Sequence, residues 1–118
     1  MRESQFYERF ATEWIEAWNS HDIERIMSHY DESLTFSSPK LAKLIPRSGG
    51  KLKGKEAVRL YWIKALAAQP ELQFELIAAL KGVDSVVLHY KGAGGKLCAE
   101  FFVFAEHGMV VDSHAHGD

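Results

Sequence analysis

The sequence predicts an α+β domain in which helices pack on one face of an antiparallel sheet. Two observations carry this. The first 68 residues show helical periodicity broken by one short strand, and the stretch from residue 72 onward alternates apolar and polar residues in four strand-like runs. Short glycine-containing turns join those runs, and successive hairpin-connected strands pair antiparallel.

Phe6, Phe10, Trp14 and Trp18 recur every four residues, while Glu8, Arg9, Glu13 and Glu16 occupy the remaining surface. This is an amphipathic helix with an aromatic face. Asn19-Ser20-His21-Asp22 supplies turn and cap chemistry, after which Ile23, Ile26, Met27 and Tyr30 begin a shorter second helix. Leu34 to Ser38 reads as a strand ended by Pro39, and Lys40 to Gly50 as a loop. Lys55 to Ala68 is a third helix, opened after Gly54 and stopped before Pro70. Leu72, Phe74, Leu76 and Ala78 alternate with Gln73 and Glu75 as a half-buried strand. Ser85–Tyr90, Leu97–Ala105 and a run from Met109 towards Ala115 are the remaining strands.

The chain has 118 residues, 47% hydrophobic and 25% charged, which suits a single domain over 1–118 with a real core. A formal net charge of -2 gives no basic field for nucleic acid or an anionic membrane surface. No apolar run is long enough to span a bilayer, and the charged MRESQFYERF start lacks the apolar core of a signal peptide. A cytoplasmic protein is expected. Cys98 has no partner for an intramolecular disulfide and, among phenylalanines, reads as an inert core thiol.

Four strings, taken in order, carry a resemblance that covers nearly the whole chain. They are Trp14-Ile15-Glu16-Ala17-Trp18-Asn19 with Asp22; Thr35-Phe36-Ser37-Ser38-Pro39; Gly54-Lys55-Glu56-Ala57-Val58 leading into Tyr61-Trp62; and Glu100-Phe101-Phe102-Val103-Phe104 before Gly108. The chain resembles the nuclear transport factor 2-like superfamily, in its SnoaL-like and ketosteroid-isomerase-like branch. The resemblance implies a cystatin-like cone: a curved, mostly antiparallel sheet wrapped around the long first helix, with a single layer of helices on one face. It also implies a pocket between sheet and helices, and a homodimer through the outer sheet face. The family hosts enzymes, binders and assembly domains, so fold alone does not select among them.

Glu100 is the residue that asks for a function. Alternation places Glu100, Phe102 and Phe104 on one face of their strand and Phe101 and Val103 on the other. The isomerases of the family carry at the matched position an acid that donates a hydrogen bond to a developing enolate oxygen. Burial among aromatic rings would raise the pKa of such a carboxyl and keep it available as a proton donor. The alternative is a structural carboxyl that merely fixes its strand. Where the isomerases place their general base before the proline, this chain has Ser38, and where they place the first-helix tyrosine it has Trp14. A neutral hydroxyl cannot abstract a proton from carbon unaided, and indole donates but does not act as an acid. Steroid isomerisation is therefore not expected.

Glu100 is thus the catalytic candidate, Ser38 and Trp14 polar positioners, and Tyr61, Trp62 and Phe102 the walls of an apolar pocket, unless those rings simply fill it. His89 is a substitute base if its strand face lines the pocket, and a half-buried structural residue otherwise. His21 and His29 read as surface residues. Asp112, His114 and His116 alternate on a terminal strand and could form a metal set, but the resemblance turns the histidines outward and no metal or cofactor is expected. Lys40, Lys43, Arg47, Lys51, Lys53 and Lys55 make the central loop basic, either a solvated connection or a cover for an anionic ligand. The sequence leaves two readings. One is a binder of a small apolar or aromatic ligand that performs cofactor-free acid-base chemistry of the isomerase, cyclase or hydratase type. The other is a non-catalytic ligand-binding, dimerising or scaffold module of the same fold.

Overall fold

A computed structural model of the protein describes residues 2–117. Helix α1 (Ser4–Ser20) buries Tyr7, Phe10, Ala11, Trp14, Ala17 and Trp18 along one stripe. It ends at His21, which adopts the left-handed conformation (φ 60°) and whose ring bonds the Leu72 carbonyl at 2.9 Å. Asp22 caps α2 (Ile23–Met27) by accepting from the amides of Glu24 and Arg25. Strand β1 (Tyr30–Ser37), helix α3 (Pro39–Leu44), a 3-10 turn at Pro46–Ser48, strand β2 (Lys51–Lys53) and helix α4 (Lys55–Ala68) follow. The chain closes with strands β3 (Glu75–Gly82), β4 (Ser85–Lys91), β5 (Leu97–Phe104) and β6 (Val110–Gly117).

The six strands lie in the order β2-β1-β6-β5-β4-β3. Every pair is antiparallel except β1 with β6, which run parallel. Irregular register in β1/β6, β3/β4 and β5/β6 introduces bulges, which bend strands and increase twist. The sheet therefore curves around α1, with the helices on its concave side. Among the described residues no helix is long and apolar enough to cross a membrane.

Three boundaries differ from the sequence reading. The expected loop at 40–50 contains α3, because Ser38 accepts from the amides of Lys40 and Leu41 and Pro39 supplies a pre-set first helical turn. The proline that stops the strand also starts the helix. Tyr30 opens β1 instead of extending α2, since it pairs with Val110 of β6. Residues 72–74 precede β3 as a tether: Asn19 donates to the Phe74 carbonyl at 3.0 Å and accepts from the Phe74 amide at 2.7 Å.

Candidate functional site

Strand β5 directs Glu100, Phe102 and Phe104 inward and leaves Phe101 and Val103 half-buried on the outer face. Glu100 is only 4% exposed and sits between Leu88 of β4 and Ala115 of β6. Both of its oxygens are engaged. Tyr90 donates to Oε1 at 3.1 Å and Ser113 donates to Oε2 at 2.8 Å. Burial pushes the carboxyl up to about 7, against the opposing pull of the Ser113 and Tyr90 hydrogen bonds. The hydroxyls of Tyr90 and Tyr30 are both held far above the ordinary tyrosine range, first by burial and then by the nearby Glu100 charge. Near neutral pH this group can either hold or release a proton while its tyrosine neighbours stay protonated.

The aromatic residues around Glu100 pack against one another. Trp14 lies edge-on to Phe102 and Tyr90, with centroids 5.3 and 5.1 Å apart, and stacks on Phe74 at 5.6 Å. Its indole donates to the Tyr30 hydroxyl at 2.9 Å. Trp62 fills the space between Trp18, Tyr30 and Phe36. Tyr61 is half-buried beside Phe36. Of Tyr61, Trp62 and Phe102, expected to line a pocket or simply to fill it, Trp62 and Phe102 are buried in the interior of the cone together with Trp14, the expected polar positioner.

A cleft of about 520 Å³ lies beside these residues. Phe74, Leu72, Tyr90 and Ala115 lie along it, with Ser38 and Leu44 from the α3 side and Cys98 from β5. Cys98, expected as a core thiol, is partly buried: it packs against the core and also borders the cleft. Ser38 lines the cleft, and its oxygen also caps α3. Glu100 does not line this cleft; it lies one hydrogen bond behind it, through Tyr90. Sequence reasoning overlooked Tyr90, Ser113, Tyr30 and Phe74. The signal for Tyr90 was present, since a β4–β5 hairpin that turns Glu100 inward also turns Leu88 and Tyr90 inward.

That same alternation corrects His89. It pairs with Ala99 on the outer face, away from Glu100, and cannot act as a base in the cleft. His114 is also outward; its ring stacks on Phe101 and shares a 2.5 Å hydrogen bond with Ser37. Among the described residues no group of three His, Cys, Asp or Glu is placed to hold a metal ion. His21 and His29 are partly buried, not surface residues. His29 packs edge-on against Phe10 and has its pKa lowered by burial, which outweighs the favourable Glu13 charge.

A family model described as the SnoaL-like domain matches residues 11–113. A SnoaL-like protein of unknown function from Burkholderia thailandensis E264 is 45% identical, at TM-score 0.95 over 98% of this chain and 97% of that one. A candidate isomerase of the SnoaL-like family from Agrobacterium tumefaciens C58 is 14% identical, at TM-score 0.77 over 97% and 98%. A cystatin-like-fold protein of unknown function from Methylobium petroleophilum PM1 is 12% identical, at TM-score 0.77 over 98% and 77%. The last two are similar in fold alone. No functionally curated protein matches the chain.

Proposed function

The chain belongs to the SnoaL-like family, and from that premise we propose that it binds a small unsaturated organic molecule in the cleft floored by Phe74, Tyr90 and Ala115. Glu100 serves there as the acid, working through the Tyr90 hydroxyl. One observation carries this reading: a buried carboxyl poised near neutrality is hydrogen-bonded to a tyrosine that borders the cleft. When Glu100 is protonated, its O–H can donate to the Tyr90 oxygen, and the Tyr90 hydrogen is released to an acceptor on the ligand. A carbonyl oxygen placed above Tyr90 would accept it, and negative charge developing on that oxygen would be stabilised by a donor fixed in advance. Isomerisation, cyclisation and hydration of carbonyl compounds share that requirement. Trp14, Trp62, Phe102 and Tyr61 act by packing, with Trp14 holding Tyr30. Ser38 offers a polar rim.

The test is a pair of variants, Glu100→Gln and Tyr90→Phe, assayed for ligand affinity and for turnover of unsaturated carbonyl compounds. Retained affinity with turnover lost in both supports the reading. Turnover unchanged in both removes it.

A second reading, a binder without catalysis, is favoured by one specific observation. Both Glu100 oxygens are already engaged by the protein, so the carboxyl has a structural task without any ligand. On that reading Glu100→Gln leaves affinity intact and no substrate is turned over.

The outer face of the sheet is the proposed homodimer surface. Leu80, Val87, Phe101 and His114 fall in one cross-strand row there, and Leu97 is exposed beside it. Apolar side chains on the outer face of a sheet call for cover.

A further inference from the structure

We propose that the cleft is built for an organic anion: a carboxylate, or an equivalent acidic group, carried on a flat unsaturated frame. This rests on the reading that the cleft binds a ligand, and it adds the charge of that ligand. Three lysines border the cleft from two separate segments, Lys40 and Lys43 on α3 and Lys96 immediately before β5. Among the described residues none of the three forms an ion pair, and the cleft lining contains no aspartate or glutamate. The chain as a whole carries a net charge of -2, so this local excess of positive charge runs against its average. Arg25, Arg59 and Lys81 are by contrast ion-paired, with Glu13, Glu24 and Glu8 respectively.

The rest of the cleft suits the other half of such a ligand. Phe74 and Tyr90 lie with ring centroids 4.9 Å apart, and Leu44 and Leu72 add apolar surface, so a planar frame would be packed by rings and aliphatic groups. Ser38 Oγ accepts from two backbone amides, which leaves its own hydrogen to donate to an anionic oxygen. Glu100, behind the floor through Tyr90, is held partly protonated near neutrality and so does not set a full negative charge against the ligand. A neutral ligand would use the floor and leave the lysines solvated. An anion uses both.

The experiment compares 2-naphthoate with its neutral counterpart 2-naphthamide by calorimetric titration. The wild-type chain is set beside the triple variant Lys40→Gln/Lys43→Gln/Lys96→Gln, whose exposed positions spare the fold, and beside Ala93→Trp, which obstructs the cleft. Naphthoate should bind about tenfold more tightly than naphthamide, from modest contributions of three exposed charges. The triple variant should reduce that preference to within about twofold without affecting naphthamide, and salt near 1 M should do the same to the wild type. Ala93→Trp should weaken both probes. Equal binding of the two probes overturns the anion proposal while leaving the cleft reading in place. So does a naphthoate preference that survives removal of the lysines. If neither probe binds the wild type up to millimolar concentration, or if Ala93→Trp changes neither affinity, the cleft reading itself falls.

Discussion

Tyr90 and Glu100 face each other across adjacent strands, Oη to Oε1 at 3.1 Å, and only Tyr90 of the two borders the cleft. On the proposed function the tyrosine is the contact and the carboxyl the reservoir. This division explains how an acid can be fully enclosed and still be offered to a ligand.

The enclosure of Glu100 has a thermodynamic signature. Its pKa rises on folding from an ordinary 4.5 to about 7. Between those values the folded chain holds a proton that the unfolded chain has released, so stability declines as pH rises and the loss is complete above about 7. The total is on the order of 3 kcal/mol. Glu100→Gln lacks this titration. Urea unfolding at a series of pH values should show the variant gaining about 3 kcal/mol on the wild type between pH 4.5 and 8. Parallel curves would contradict the burial. His29, whose pKa is depressed, acts in the opposite sense in both proteins, since its contribution is lost as pH falls below its unfolded value, and it cancels in the difference.

Tyr90→Phe removes one of the two hydrogen bonds that hold the Glu100 pKa down. The carboxyl should then titrate higher than in the wild type, by carbon-detected NMR of its side chain. Stability near neutrality should drop by about 1–2 kcal/mol for the lost buried bond. An unmoved titration would mean that the two groups are not coupled.

Asn19 ties Phe74 at both its amide and its carbonyl, so one side chain on α1 fixes one wall of the cleft. Asn19→Ala should destabilise the fold by about 1–3 kcal/mol. It should also accelerate hydrogen exchange at the Phe74 amide more than at the β4–β5 pairs. Uniform acceleration would show that Asn19 contributes only to global stability.

Phe101→Lys places a charge in the middle of the outer row Leu80, Val87, Phe101 and His114. If that face joins two copies, sedimentation velocity at micromolar concentration should show a dimer for the wild type and a monomer for the variant. A wild-type monomer sinks the proposed interface.

The architecture was legible because its signals are periodic. The four-residue spacing of Phe6, Phe10, Trp14 and Trp18, and the alternation around Phe102, report which side of an element is buried whatever lies opposite. That Glu100 shares a face with Phe102 and Phe104 followed from the alternation, and that this face points inward followed from the family resemblance. The partners of Glu100 did not, because Tyr90 and Ser113 meet it through cross-strand register, which no single strand encodes. His89 was misassigned for a related reason: a strand bearing Val87 and His89 on one side and Leu88 and Tyr90 on the other does not say which side is covered. Whether the aromatic rings line a pocket or fill it turns on volume. A count of rings does not reveal whether Trp14 and Phe102 leave a gap or close it. Cleft lysines such as Lys96 lie more than 50 positions from Lys40 and are joined to it only by the fold.

The parallel pairing of β1 with β6 has a kinetic consequence. Ser37 and His114 are 77 residues apart, yet they lie side by side in the middle of the sheet. Strands β3 to β6 can zip by successive hairpins, each closing a short loop, whereas β1 reaches β6 only across the long stretch of chain between them. Closing so long a loop before its contacts are rewarded makes this the slow step of assembly. Until it happens, β1 and β6 both present unpaired edges, and a chain delayed there is exposed to aggregation. A chaperone or a nascent neighbour would meet this protein at its seam.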